Sequence, residues 1–236
     1  MLVSDNNPWL GLASYSREDA NRFFGRNKDL DEIRATIKNN YCTILYGVSG
    51  AGKTSLVNAG LCPRLSEENF LPIVIRLDHN SSVDYARQLL SACDKALSDS
   101  GCEVEIPVDG HEYDLSEEDS LWLYFHSATF WSSLNYKVVP VIIIDQFEEI
   151  FTLTESEDDI KGFFSLLKQL FSSVPSDTLL PILECIRDIQ LQEDPTLRMV
   201  LSIREDFLAR LEDFCYDIPF LKKNRKGIRK LNGIQA

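Results

Sequence analysis

The run Gly47-Val-Ser-Gly-Ala-Gly-Lys-Thr-Ser55 constrains this chain more than any other stretch, because its Gly-x-x-x-x-Gly-Lys-[Ser/Thr] spacing works only between a strand and a helix. The apolar run Tyr41 to Tyr46 supplies the strand and the periodic Leu56 to Leu61 supplies the helix. Gly47, Gly50 and Gly52 let the backbone curl so that successive amides face phosphate oxygens, and the new helix adds its positive end behind them. Ser49, Ala51 and Ser55 belong to the same phosphate-binding set. Lys53 is placed to reach the β- and γ-phosphates and the Thr54 hydroxyl to ligate magnesium. The competing reading is a glycine-rich turn capping a helix, but a chance match in a chain of this length is on the order of 1%.

A second landmark is Val138 to Glu149 (Val-Val-Pro-Val-Ile-Ile-Ile-Asp-Gln-Phe-Glu-Glu). Its branched apolar residues describe a strand buried on both faces, as in a parallel sheet. Asp145 emerges at the carboxyl end, where open α/β sheets bind ligands. A carboxylate there holds the magnesium shell, and Glu148 or Glu149 polarises the attacking water. Adjacent helical side chains cannot face the same way, so the sequence leaves the choice between these two open. The alternative for Asp145 is a helix cap ahead of two acids.

A third buried strand, Leu197 to Arg204, ends in Ser202-x-Arg204. The planar fork of Arg204 suits a γ-phosphate sensor, against a surface ion pair with Glu205 or Asp206. Upstream, Ser16 with Glu18 and Asp19 marks a helix start, Gly25 breaks it, and a second helix carries Leu30, Ile33 and Ile37. Asn27-Lys28-Asp29 is not a guanine-specificity motif, since Leu30 occupies the fourth place and the run precedes the phosphate loop.

Further expectations are a strand over Leu71 to Asp78, a helix over Val83 to Leu97 and an exposed loop over Ser98 to Asp119. Leu121 to Trp131 is apolar at helical spacing, with His126 as a packed histidine. Helices follow from the acidic run at 155–159 and over Leu179 to Gln190. The basic run Leu221 to Leu231 reads as a solvated face.

A net charge of −13 argues against a general nucleic-acid binder, and no apolar run approaches the ~20 residues of a membrane span. The start of the chain lacks a basic segment followed by an apolar core, so cytoplasmic residence is expected. Six scattered cysteines fit free thiols acting as small apolar core residues.

Together, Asn7 to Leu12, Asp19 to Arg26, Gly47 to Ser55, Ile144 to Thr152 and Ser202 to Leu211 resemble the novel STAND NTPases, signal transduction ATPases with numerous domains. The resemblance implies an α/β, three-layer P-loop NTPase fold of the AAA+-like kind, with a mainly parallel five-stranded sheet and helices on both faces. It places the sensor strand between the phosphate-loop strand and the acidic strand. Phe24, Gly25 and Arg26 resemble the adenine-contacting turn of such ATPases. It divides the chain into an N-terminal helical segment over 1–38, carrying that turn, and an NTPase core over 39–236. Family members generally continue into helical and winged-helix regions, so the expectation is a fragment or truncated product with the C-terminal regulatory region absent.

The implied function is a slowly hydrolysing switch that couples Mg-ATP binding to conformational change or homo-oligomerisation, with sensor or effector regions elsewhere, in signalling or antiphage defence. ATP/ADP and Mg2+ are the implied cofactors. The alternatives are a stand-alone P-loop hydrolase or kinase, and a scaffold that keeps nucleotide for stability. No arginine finger is assignable; Arg210 and Arg225 are the ones in view.

Overall fold

The computed structural model describes residues 13–107, 115–154, 156–186 and 190–231. Asn7 to Leu12, and residues 187–189 of the expected Leu179 to Gln190 helix, lie outside the described residues.

Seven strands are formed among them: β1 (Cys42–Gly47), β2 (Phe70–Ile75), β3 (Glu103–Glu105), β4 (Thr129–Trp131), β5 (Lys137–Ile144), β6 (Arg198–Arg204) and β7 (Arg225–Gly227). Five of these run parallel in the order β2-β5-β6-β1-β7. This is the expected parallel sheet, with β6 between the phosphate-loop strand and the acidic strand. The antiparallel pair β3 and β4 extends it from the start of β5.

Among the described residues the α-helices are α1 (Asn27–Asn39), α2 (Lys53–Ser55), α3 (Cys62–Ser66), α4 (Tyr85–Ser100), α5 (Glu117–Ser127), α6 (Glu157–Leu170), α7 (Leu180–Cys185) and α8 (Leu208–Glu212). They cover both faces because the parallel strands are apolar at odd and even positions alike. Ile44, Ile142, Ile144 and Leu201 point to one side and join Leu89, Cys93, Leu121, Phe125, Phe163 and Leu167 of α4, α5 and α6. Leu45, Val141, Ile143 and Val200 point to the other, against Leu30, Ile33 and Ile37 of α1 and Leu56, Val57, Leu61 and Leu65 beyond the phosphate loop. Each such side chain, fully buried, contributes roughly 1.5–3 kcal/mol, so the two clusters fix the sheet between its helical layers.

Local chemistry sets the ends of these elements. Ser156 accepts from the Asp158 amide at 3.1 Å and starts α6, with Glu157, Asp158 and Asp159 in the first turn. Gly101, in the left-handed region, closes α4. At the N-terminal side, Asp19 accepts from the Ser16 amide at 2.9 Å and opens a 3-10 turn over Arg17–Arg22. Helix α2 continues through a π-helical turn, Leu56–Leu61, into α3.

Several sequence expectations are corrected. Ser98 to Asp119 is not one exposed loop: α4 runs to Ser100, β3 occupies Glu103–Glu105 and α5 begins at Glu117. The apolar run to Trp131 stops being helical at Ser127 and turns into β4, because Phe130 and Trp131 pair with Val138 and Lys137. Within the described residues, the helix expected from Leu179 spans only Leu180–Cys185. The basic run is a fifth parallel strand in part, since Arg225–Gly227 pairs with β1. Cys42, Cys62, Cys93 and Cys215 are buried as expected, but Cys185 is exposed and Cys102 partly so. Burial pushes the Cys42 thiol up to about 12 and Cys62 to about 11. His126 is fully buried, stacked on Trp122 and within hydrogen-bond distance of the Gln192 and Leu170 carbonyls, which is the packed role expected of it.

Candidate phosphate-binding site

Strand register gathers the chemical residues at one end of the sheet. Gly47 pairs with Arg204, Ile144 with Leu201 and Ile75 with Ile144, so the loop after β1, Asp145 after β5, the end of β6 and Arg76 after β2 share the carboxyl edge. Gly50 and Gly52 have φ of +73° and +86°, a conformation that costs a side-chain-bearing residue steric energy. The loop closes with the Ala51 amide donating to the Val48 carbonyl at 3.1 Å, and the Leu56 amide bonds Gly52 at 2.8 Å as the helix begins.

Lys53 folds back over this loop, its Nζ donating to the Gly47 carbonyl at 3.0 Å and lying 3.5 Å from that of Val48. Burial lowers its pKa, and the carboxylates of Glu148 and Asp145 act against that shift. The ammonium therefore lies in the field of both acids, already desolvated and held by neutral carbonyls.

Asp145 joins three elements. It is 7% exposed; one oxygen accepts from the Thr54 hydroxyl at 2.7 Å and the other from the Ser202 hydroxyl at 2.8 Å. The phosphate-loop helix, the acidic strand β5 and the strand β6 thus meet on one carboxylate. Immediately after it, Gln146 takes a left-handed φ of 56°, uncommon for a residue with a β-carbon. That turn buries Phe147 in the core beside Phe163 and Phe164 and leads directly into the two glutamates.

The glutamates that sequence leaves undivided are separated here. Glu149 is gripped from two sides by the Arg76 guanidinium, with Nε donating at 2.6 Å. Glu148 instead accepts from the Arg204 backbone amide at 3.1 Å, and its charge raises the Lys53 pKa against burial. Arg204 has its side chain on Asp206, with Nε to Oδ1 at 3.0 Å and Nη2 to Oδ2 at 2.6 Å. The ion pair weighed against the sensor role is therefore formed, next to the phosphate loop.

The N-terminal turn reaches the same loop. Arg26, 6% exposed, donates to the Ala51 carbonyl at 2.9 Å and to Asp29 at 2.9 Å, which makes it a strut under the phosphate loop. Phe24 is 72% exposed beside Gly25, whose φ is +81°. The packing role falls to its neighbour Phe23, set edge-on to Tyr15 at 5.8 Å and against Gly60. Ser55 accepts from the Tyr15 amide at 3.1 Å, and Ser49 lies exposed on the loop. Arg210 pairs with Glu157 at 2.9 Å and Arg225 with Glu212 and the Leu221 carbonyl, so both arginines in view as fingers are engaged within the chain.

These residues fit a magnesium-bound nucleotide. Asp145 and Thr54 are adjacent hard oxygen donors in a nearly closed corner, and Mg2+ needs only one or two such ligands beside phosphate oxygens and water. Among the described residues no group of three or more His, Cys, Asp or Glu could hold a metal, a set this mode of binding does not require. Sequence reasoning missed Ser202 as the partner of Asp145 and Arg76 as the partner of Glu149. A polar residue at an inward position of an apolar strand was the available signal for Ser202.

Two solved structures are similar to this chain. The Walker-type ATPase PABY2304 of Pyrococcus abyssi superposes with a TM-score of 0.54 at 16% identity, covering 95% of this chain and 58% of that one. The Aeropyrum pernix ORC2 protein, solved as ADPNP-ADP complexes, gives 0.43 at 14% identity over 86% of this chain and 47% of its own. The first likeness shows the fold, and this chain spans only about half of either structure's length. No curated protein matches the sequence. The sequence model of Novel STAND NTPase 1 matches residues 8–226, close to the whole chain. With the phosphate loop, the buried carboxylate and the strand ending in Arg204 in the order found, this chain belongs to the novel STAND NTPase 1 family.

Proposed function

We propose that this chain is an ATP-dependent switch domain that binds Mg-ATP, hydrolyses it slowly and changes conformation or homo-oligomeric state with the nucleotide. The observation that carries this reading is the Asp145 carboxylate shared by Thr54 and Ser202, because a change at the phosphate loop is passed directly to the strand that ends in Arg204. Lys53 exchanges the Gly47 and Val48 carbonyls for phosphate oxygens. Thr54 and Asp145 hold the metal, while Ser202 keeps the carboxylate oriented. Magnesium, when bound, neutralises charge on the phosphate oxygens. Glu148, free of the Arg76 clamp, orients the attacking water and takes its proton. Arg204 donates to the terminal phosphate, and Phe24, Gly25 and the adjoining backbone receive the adenine, with Arg26 bracing the loop. Cytoplasmic residence, sensor or effector regions beyond this chain, and a place in signalling or defence complete the proposal.

The test is a pair of single substitutions. Glu148→Gln lowers single-turnover hydrolysis by about 100-fold or more with ATP affinity kept, since a positioned base contributes about 10²–10⁴. Glu149→Gln loses only the clamp to Arg76 and changes the rate by less than about tenfold. Hydrolysis and native mass are followed together. A Glu148→Gln chain that turns over at the wild-type rate removes the assigned base. A double variant that neither retains ATP nor shifts assembly defeats the switch reading, and unfolding on nucleotide removal would favour a scaffold instead.

A further inference from the structure

We propose that Asp206 is the resting counter-ion of Arg204 and the residue that sets how strongly this site prefers a nucleoside triphosphate to a diphosphate. The inference rests on the nucleotide reading above and adds a specificity-determining residue to it.

Three observations carry it. The first is position: Arg204 is the register partner of Gly47, the first glycine of the phosphate loop, and its amide is fixed by Glu148 at 3.1 Å. Its side chain therefore starts from a clamped backbone at the edge of the phosphate site. The second is occupancy: Asp206 takes Nε and Nη2 together, and the guanidinium carbon lies 5.4 Å from the centre of the Phe207 ring. A phosphate bound two-point at that same Nε–Nη2 edge replaces the carboxylate there. The third is weakness: the side chains of Arg204 and Asp206 are 42% and 52% exposed, and a pair this wet is easily exchanged.

The charges of Asp206 and Arg204 are both felt at Lys53, which places the pair within the field of the phosphate site. A diphosphate engages the loop and Lys53 and leaves the pair intact. A triphosphate brings a further charged group to Arg204 and takes the Nε–Nη2 edge from Asp206, at the cost of that ion pair. Asp206 accordingly penalises the triphosphate and not the diphosphate, and its replacement by a neutral isostere relieves the penalty.

The experiment measures binding of Mg-ADP and of a non-hydrolysable Mg-ATP analogue by calorimetry to five chains: wild type, Asp206→Asn, Arg204→Ala, the double variant, and Glu205→Gln. The last makes the same change in net charge one residue away. Asp206→Asn raises the triphosphate-to-diphosphate affinity ratio by about three- to fivefold, a span suited to a half-exposed pair. Glu205→Gln leaves the ratio within about twofold. In the Arg204→Ala background Asp206→Asn has no further effect on the ratio, because the ion it neutralises has gone. An unchanged ratio in Asp206→Asn, or an equal rise with Arg204 removed, overturns the inference while leaving nucleotide binding intact. Absence of binding by the wild-type chain overturns both.

Discussion

Replacing Lys53 with alanine weakens Mg-ATP binding by at least about 100-fold and leaves the fold in place. Charge-assisted hydrogen bonds contribute about 1.5–3 kcal/mol each, and loss of two phosphate contacts removes roughly 3–4 kcal/mol, or two to three decades in affinity. The resting partners of Lys53 are carbonyls of Gly47 and Val48. Val48 lies on the exposed part of the loop, where water replaces the ammonium, so the unfolding free energy moves by no more than about 1 kcal/mol. Calorimetric titration with ATP, with thermal unfolding of the same samples, separates the two effects. Retention of affinity within about threefold would remove Lys53 from the phosphate site, and with it the central assignment.

Among the glycines of the described residues, Gly47→Ala brings the closest backbone clash and a large loss of stability. A β-carbon there would stand 2.4 Å from the Ile228 carbonyl oxygen and 3.5 Å from the Ala51 side chain. The first obstacle is backbone, so no side-chain rotation relieves it. The segment that must move is β7, held to β1 by the Ile228 amide on the Tyr46 carbonyl at 2.7 Å and by the Arg225 to Gly227 register. Overpacking against such an obstacle costs about 2–4 kcal/mol. Urea unfolding reads the loss, and hydrogen exchange at the Ile228 amide reports whether β7 has detached. A change under about 0.5 kcal/mol with unaltered exchange would show that the loop absorbs the methyl group elsewhere.

How much of this was legible in the sequence depends on the range over which each element is decided. The phosphate loop, the buried run before Asp145 and the helices carrying Leu30, Ile33 and Ile37 or Phe163 to Leu170 follow from patterns internal to one stretch. Strands β3, β4 and β7 are three residues each, too short for a period, and exist only through distant partners. In β7, Arg-Lys-Gly carries no apolar residue; what shapes it is the left-handed Asn224, whose carbonyl accepts from the Ile44 amide at 3.1 Å. The residue types of the site were readable for the same reason as the loop. Their pairings were not, because Asp145 with Ser202, Glu149 with Arg76 and Arg26 with Ala51 are decided by register and by a left-handed turn at Gln146.

The neighbours of β1 carry a kinetic consequence. Both β6 and β7 are made late, and the Asn224 side chain reaches back to the Cys42 carbonyl across 182 residues. At synthesis rates of about 5–20 residues per second, β1 waits roughly ten to thirty seconds for its second neighbour. Through that interval an apolar ribbon, Cys42 to Tyr46, has two open edges and no ladder to occupy them. Closing such long loops slows folding. The phosphate loop, among the earlier segments synthesised, is therefore among the last to acquire a fixed shape, since its own strand is flanked on both sides only once β7 has docked.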